Sequence, residues 1–328
     1  MDCRKKFFLL FILCVFPIFI FLTGCEKMFP SGSGEEDGEF IIANYIGLFD
    51  GTTKNFLRTD IPYDKMNRLY IAFAMINWDE ATKMYYLDYD PLDDRTAVET
   101  IINNCLQKNQ NEPNVEIFMS CGYGVLTEDD YHNAAQAQYV GDFADSVVDF
   151  IKENIISVIR SQIPEGTIVV GFDMDLESTG TKPEDVTALV TTLRHKFDDA
   201  TNADTSVIYK LTITPWYYPY ITDLDWNSIK SKINQVNLMY TYGQYSSVLA
   251  GLANYLIGQG LTSDQIIAGI QSEGPQDSID TIDDKCNYIK QNNLGGMMNW
   301  RIDNDNRDAS GHPTYEFALE MYNQLSGQ

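Results

Sequence analysis

Short apolar segments alternate with amphipathic segments along most of this chain. Eight of the apolar segments have the length of strands, and most intervals between them carry the three-to-four-residue apolar spacing of helices. The predicted strands are 41–48, 68–76, 115–121, 167–177, 210–215, 235–242, 265–271 and 295–302. The clearest predicted helices are 96–107, 142–160, 183–197, 246–257, 278–291 and 314–325.

Strands that alternate with helices predict a parallel sheet covered by helices, and eight of them predict a (β/α)8 barrel. A doubly wound open sheet is the alternative architecture. That fold would need a phosphate-binding glycine loop after its first strand, and the segment GLFDG at 47–51 does not supply one. We therefore expect an α/β fold, with a single (β/α)8 TIM barrel over residues 40–328.

The N-terminal residues do not follow this pattern of strands and helices. Basic residues at 4–6 precede an apolar segment at 7–22, as in an export signal. The apolar segment contains Pro17 and is shorter than the roughly 20 residues of a comfortable membrane span, so an uncleaved anchor is the less favoured alternative. A stretch rich in Pro, Ser, Gly and Glu follows at 28–38 and predicts a flexible tether.

The segment LTGC at 22–25 resembles the lipobox of bacterial lipoproteins. This resemblance implies a signal peptide at 1–24, lipidation of Cys25 and a tether over 25–39. More than one acyl chain anchors a protein stably to a membrane. We therefore expect an exported protein held by lipid to a bacterial membrane, at the cell surface or on the periplasmic face.

Charge and cysteine content narrow the class of protein further. The chain has 47 acidic and 23 basic residues and a formal net charge of −24, so we expect no nucleic-acid partner. Beyond the N-terminal 39 residues only Cys105, Cys121 and Cys286 remain. Because three is an odd number, at most one disulfide can form, and small buried thiols are expected.

The fourth predicted strand ends in three carboxylates at alternate positions, Asp173, Asp175 and Glu177. Side chains two apart on a strand share one face, at steps of roughly 6.5 to 7 Å. Repulsion and partial desolvation should then raise the pKa of at least one of them, which makes it a candidate general acid. A half-exposed strand with a solvated acidic face is the alternative. The barrel pattern disfavours that alternative, because barrel enzymes place catalytic residues at the C-terminal ends of strands.

The segment VGFDMDLE at 170–177 resembles the fourth strand of glycoside hydrolase family 18, which reads Asp-Gly-x-Asp-x-Asp-x-Glu. Val170 replaces the first aspartate of that motif, and the other three acids are kept. The likeness covers most of 40–328. It includes IAFA at 71–74, FMSCG at 118–122 with Tyr123 in place of the last glycine, and GGMMNW at 295–300.

The resemblance to this family of chitinases and endo-β-N-acetylglucosaminidases implies a retaining mechanism in which the substrate's own 2-acetamido oxygen attacks the anomeric carbon. Glu177 would protonate the glycosidic oxygen and later activate water. Asp175 would hold the acetamido N–H and stabilise the oxazolinium charge, and Asp173 would support Asp175. No cofactor and no metal would be needed.

The sixth strand, MYTYG at 239–243, is the weakest match to the family. Two tyrosines share one face of this predicted strand, and we favour Tyr242 as the catalytic tyrosine, with Tyr240 second. Trp300 would form the floor under the sugar, although a core aromatic at the barrel end is the alternative. The predicted sugar-binding residues are Trp300, Tyr240, Trp216, Ser120 and Met239.

The substrate class depends on smaller features. About two dozen residues separate the last two predicted strands, too few for the insertion domain of many chitinases. An open cleft suits a bulky glycan such as the GlcNAc-β-1,4-GlcNAc core of N-linked chains. The family resemblance favours the same substrate at Gly243, which follows Tyr242 where chitinases have an aspartate. At Trp300 the resemblance favours a chitinase, because enzymes that cleave the N-glycan core often carry another aromatic residue there. We expect an N-glycan endoglycosidase ahead of a chitinase, acting as a monomer on a GlcNAc-containing glycan or glycoprotein.

A catalytically inactive surface glycan-binding protein is the remaining hypothesis. The replacements at Val170, Tyr123 and Gly243 support it. The presence of Glu177 disfavours it, because lectins of this family usually lack that acid.

Overall fold

Eight parallel strands close into a barrel in the computed structural model of this chain, which describes residues 39–49, 54–89, 95–122, 130–274 and 276–327. The barrel strands follow one another around the sheet in sequence order, and the last pairs with the first. They are β1 (Ile41–Gly47), β2 (Arg68–Asp79), β4 (Glu116–Cys121), β5 (Ile168–Leu176), β6 (Val207–Pro215), β7 (Gln235–Leu238), β8 (Ile266–Gln271) and β9 (Gly296–Trp300). The predicted α/β fold, a single (β/α)8 TIM barrel, is confirmed.

Helices cover the outside of the barrel. Those the structure describes are α1 (Arg95–Lys108), α2 (Asp130–Ala134), α3 (Val140–Ile151), α4 (Ser157–Gln162), α5 (Pro183–Ala203), α6 (Tyr218–Asp223), α7 (Trp226–Ile229), α8 (Ser246–Gly258), α9 (Ile279–Asn292) and α10 (Glu316–Leu325). The predicted helix 142–160 is interrupted, because a π-helical segment, Lys152–Ile156, joins α3 to α4. The short helices α2, α6 and α7 were not predicted, since segments of four to six residues are too short to show a helical period.

Several of the predicted strand ends were wrong. The fifth predicted strand begins three residues earlier, at Val207, and the last one ends at Trp300 and not at residue 302. β2 continues past residue 76, and the chain then turns back into an antiparallel strand, β3 (Met84–Tyr89). Trp78 of β2 lies opposite Tyr85 of β3. The sixth predicted strand stops at Leu238, and residues Met239–Thr241 form a 3-10 helix. Within this turn the Thr241 hydroxyl donates to the Leu238 carbonyl oxygen at 2.8 Å, a local hydrogen bond of the kind that competes with strand pairing.

The alternation along each strand divides the buried residues into two clusters. Phe172, Met174 and Leu176 on β5 face the helices and belong to the large apolar cluster between strands and helices. The barrel interior holds a smaller cluster that contains Tyr45, Tyr70, Phe118 and Met298. Buried polar side chains share that interior space, so the residues that face inward from β5 meet hydroxyl and amide groups.

The described residues form one compact unit, Glu39–Gln328. The signal peptide, Cys25 and nearly all of the predicted tether lie outside the described residues. Within the described part of the chain, no helix has the length and apolarity needed to cross a membrane. Cys105, Cys121 and Cys286 are free and buried, as expected.

Candidate active site

The middle of the barrel is built around the Asp173 carboxylate. Strand register brings Ser120 on β4 and Thr212 on β6 beside Asp173 on β5. Its two oxygens accept hydrogen bonds from the hydroxyl groups of Tyr45 (2.9 Å), Ser120 (2.7 Å), Thr212 (2.6 Å) and Thr214 (2.7 Å). Burial raises the pKa of Asp173, and these hydrogen bonds act in the opposite direction.

The network places two of the predicted site residues, Ser120 and Asp173, in the interior of the barrel. Ser120 was predicted to bind sugar, but it is fully buried and its hydroxyl donates to Asp173 below the site. Asp173 is also fully buried, so it can support the site but cannot touch a ligand. The support that Asp173 was expected to give Asp175 stays a prediction.

Asp175 lies one step higher on the same inward face and is 4% exposed. Its side chain packs against Gly122, the residue that follows β4. A Cβ atom at Gly122 would lie 2.3 Å from the Asp175 Cβ and 2.4 Å from its Oδ2. The glycine therefore makes the space that Asp175 occupies, which explains the Ser-x-Gly pattern at the end of this strand.

Glu177 stands at the end of β5 and is half-buried. Burial raises the pKa of Glu177 to about 7, and a hydrogen bond with the Asp175 side chain acts in the opposite direction. A hydrogen bond between two carboxyl groups requires a proton on one of them. The pair therefore holds a proton near neutral pH, within reach of a ligand that rests on the barrel end.

Tyr242 faces these carboxyl groups from the turn after β7. Its ring passes over Gly269 of β8, where a Cβ atom would lie 2.7 Å from the ring Cε1, and its hydroxyl lies 3.5 Å from the Met298 sulfur. Burial and the charges of Asp175 and Glu177 raise its pKa well above the usual value for tyrosine. The phenol therefore keeps its proton and can donate a hydrogen bond at neutral pH.

Tyr240, the second choice, lies elsewhere. It is 43% exposed, and its ring contacts that of Tyr218 at a centroid distance of 5.6 Å. The two tyrosines were expected to share a strand face, but the 3-10 helix Met239–Thr241 turns them in different directions. Among these two, only Tyr242 faces the carboxyl groups.

Trp300, the predicted aromatic floor, lies at the end of β9. Phe73 of β2 stacks beside it, with ring centroids 5.5 Å apart and planes 23° apart. Met239 is buried in the interior cluster against which Trp300 and Tyr242 pack. Trp216, which follows β6, is 51% exposed and makes no described contact with Trp300.

Glu273 and Arg301 hold the edge of Trp300, and neither was predicted. The indole Nε1 donates to Glu273 Oε2 at 3.1 Å, and Arg301 Nε lies 3.3 Å from the same oxygen. The Arg301 guanidinium also pairs with Asp303 at 3.0 Å and lies over the Phe49 ring. No local pattern in the sequence indicates these contacts, because Glu273 and Arg301 come from different parts of the chain.

A proton-holding carboxyl pair, a phenol donor and a half-buried aromatic ring therefore meet at the C-terminal end of the barrel. Such a set can protonate a leaving group, stabilise a cation and orient an amide on a flat apolar face. Among the residues that the structure describes, no group of three or more His, Cys, Asp or Glu side chains is arranged to hold a metal ion.

Comparison with known proteins agrees with this arrangement. The model of glycosyl hydrolases family 18 matches residues 42–274. No protein with a curated description matches the chain.

Several solved structures share the fold at low sequence identity. A mutant of the class V chitinase from Nicotiana tobaccum in complex with NAG4 has 14% identity and a TM-score of 0.67, over 88% of this chain and 99% of that one. A chitinase-like agglutinin from Robinia pseudoacacia has 16% identity and a TM-score of 0.66, over 87% and 99%. A family 18 N-acetylglucosaminidase from Paenibacillus barengoltzii has 16% identity and a TM-score of 0.63, over 87% and 100%.

Proposed function

Because this chain belongs to glycosyl hydrolases family 18, we propose that its barrel hydrolyses GlcNAc-β-1,4-GlcNAc linkages with retention of configuration. The observation that carries the proposal is the placement of Asp175 and Glu177 at the C-terminal end of β5, near Tyr242 in the turn after β7. Burial raises the pKa of Glu177 to about 7. A lectin site would need only the aromatic floor. A proton donor with a pKa of about 7 is what a glycosidase needs to protonate its leaving group.

In the first step, Glu177 donates its proton to the glycosidic oxygen as the bond to the anomeric carbon breaks. The carbonyl oxygen of the substrate's own 2-acetamido group attacks that carbon and closes an oxazolinium ring. The Tyr242 hydroxyl orients this carbonyl by donating a hydrogen bond to it. The Asp175 carboxylate accepts a hydrogen bond from the acetamido N–H and stabilises the positive charge of the oxazolinium ring. Trp300 supports the ring face.

In the second step, Glu177 is a carboxylate and acts as the base. It takes a proton from a water molecule, whose oxygen attacks the anomeric carbon and opens the oxazolinium ring. The acetamido group is restored and Glu177 is protonated again. Two inversions at the same carbon leave its configuration unchanged.

We propose that the linkage cut is the di-N-acetylchitobiose core of N-linked glycans. Between β8 and β9 the one helix that the structure describes is α9, so no additional domain in the described residues walls the cleft on that side. An open cleft admits a branched glycan. Chitin oligosaccharides are the second candidate. The flat indole ring of Trp300, which a hydrogen bond to Glu273 holds in place, supports this candidate.

Product analysis tests both substrates. Residues 40–328 are incubated with a high-mannose glycoprotein and, separately, with chitin oligosaccharides, and the products are weighed by mass spectrometry. We expect release of the glycan with one GlcNAc left on the protein. Cleavage of the oligosaccharides alone would establish the chitinase alternative. Binding of either ligand without cleavage would contradict hydrolysis and favour a glycan-binding protein, as the agglutinin neighbour suggests.

The pH profile should report the proton on Glu177. The first step requires the protonated form, so kcat/KM, which reports the ionisation of the free enzyme, falls as pH rises through about 7, the raised pKa of this residue, by tenfold per pH unit beyond it. Asp305 provides the control. Burial raises its pKa to about 7 as well, but its carboxylate accepts hydrogen bonds from the N-terminus of α10 and has no proposed role in the reaction. Asp305→Asn should leave the profile in place. A rate that stays constant from pH 6 to pH 9 would contradict the assignment.

The predicted location completes the proposal. We propose that lipid on Cys25 holds the enzyme at a bacterial surface, where glycoproteins or glycan fragments arrive from outside. Metabolic labelling with an alkyne fatty acid should mark the full chain and should not mark Cys25→Ala.

A further inference from the structure

Both peptide neighbours of Tyr242 are held by one buried ion pair. The Thr241 carbonyl oxygen accepts a hydrogen bond from Lys285 Nζ at 2.7 Å. The Gly243 backbone N–H donates to Asp277 Oδ2 at 2.8 Å. Lys285 Nζ and Asp277 Oδ1 are 2.8 Å apart, and both side chains are 0% exposed. The residue between these two attachment points is the tyrosine that faces the carboxyl groups.

The same two side chains also hold the strand beneath the Tyr242 ring. Lys285 Nζ donates to the Gly269 carbonyl oxygen at 3.0 Å, and Asp277 Oδ2 accepts from the Gln271 backbone N–H at 2.8 Å. Gly269 is the residue over which the Tyr242 ring passes. The turn that carries the tyrosine and the strand that supports its ring are therefore joined through one pair of charges.

The location of the pair indicates more than a contribution to stability. A buried ion pair contributes little net stability compared with apolar residues of the same volume, because desolvation opposes the attraction. Here each charge also completes the hydrogen bonding of backbone groups at a turn, where no neighbouring strand can do so. A rigid turn limits the positions that the Tyr242 hydroxyl can take.

We propose that Lys285 and Asp277 are positioning residues that set the Tyr242 hydroxyl for its contact with the substrate acetamido group. The inference rests on the proposed hydrolysis for its kinetic consequence, but the placement of the tyrosine can be measured without turnover. A hydroxyl misplaced by about 1 Å can cost a reaction up to 100-fold in rate.

The variant to use replaces both charges, Lys285→Met with Asp277→Asn. Lys285→Met alone would leave an uncompensated buried carboxylate and could unfold the chain. In the double variant, Met fills the space of the lysine stem, and the Asn oxygen can still accept from Gly243 and Gln271. Lys290→Met is the matched control, because Lys290 lies on the same helix, is exposed and bonds only to Gln324 among the described contacts.

The kinetic test compares the double variant in two backgrounds. We expect it to lower kcat about tenfold when Tyr242 is present and less than twofold in Tyr242→Phe, since the pair then has no hydroxyl to position. Lys290→Met should change neither rate. Equal losses in both backgrounds would show that the pair supports the whole barrel, and would overturn the inference.

A spectroscopic test separates this inference from the proposed function. The chain is labelled with 3-fluorotyrosine, and the ¹⁹F signal of Tyr242 is identified among 20 tyrosines by its loss in Tyr242→Phe. We expect that signal to broaden or split in the double variant and to stay unchanged in Lys290→Met. An unshifted, sharp signal would overturn the inference even if the enzyme is active. A broadened signal in a protein without turnover would support it while the proposed hydrolysis fails.

Discussion

Replacing Glu177 by Gln should lower kcat on a GlcNAc-β-1,4-GlcNAc substrate by about 10³-fold, because the glutamine amide can neither protonate the leaving group nor activate water. The fold should survive. Burial raises the pKa of Glu177 to about 7, above its value in the unfolded chain, so its charged form destabilises the folded state at higher pH. At pH 8 the Gln variant avoids this cost and should unfold at a temperature no lower than the wild type.

An activated substrate distinguishes this role from a structural one. A 4-nitrophenyl glycoside has a leaving group that needs little protonation, so Glu177→Gln should recover part of its first-step rate on that substrate, measured as the burst of nitrophenolate. Glu165→Gln is the matched control, since Glu165 is exposed before the same strand and loses the same charge. Wild-type rates in Glu177→Gln on both substrates would contradict the assignment of the general acid.

The second large effect is expected from Asp175→Asn, with a loss of about 10²-fold in kcat. The neutral amide fits the space beside Gly122 but removes the negative charge that faces the oxazolinium ring. Because that charge acts on the transition state more than on the bound substrate, KM should change little. The loss should be the same on the 4-nitrophenyl glycoside, which separates this residue from Glu177.

Asp149→Asn controls for the loss of one negative charge, because Asp149 is exposed on α3 and pairs only loosely with Lys152 at 3.6 Å. It should leave both kinetic constants unchanged. A rise in KM without a fall in kcat for Asp175→Asn would mean that the carboxylate only binds substrate. In that case the cation would have to be stabilised by another group.

The sequence was sufficient for the fold and for one face of the site. The eight apolar segments predicted the barrel, and the alternation of Asp173, Asp175 and Glu177 placed all three on one side of a strand. Both signals are local. The first depends on the length of apolar segments and on the helical spacing between them, and the second on the two-residue repeat of an extended backbone. Trp300 was identified differently, from the resemblance of GGMMNW at 295–300 to a strand of the family.

Other parts of the site could not be predicted because they join distant segments. The choice between Tyr240 and Tyr242 depends on a turn that the Thr241 hydroxyl forms with β8 and with Leu238. Glu273 reaches Trp300 across 27 positions, and Lys285 reaches Thr241 across 44. No periodicity relates such residues, and only strand register and barrel closure bring them together.

The alternation of residues along the chain determined by itself which side chains face the barrel interior, and thereby which acids belong to the site. Only the tertiary structure decided the surroundings of each acid. Asp173 is surrounded by hydroxyl donors from three other strands. Burial raises the pKa of Glu177 to about 7, although its hydrogen bond with Asp175 lowers that pKa. The direction of a side chain is a property of the local backbone, whereas its proton affinity depends on desolvation and on neighbours from other strands, which exist only once the barrel has closed.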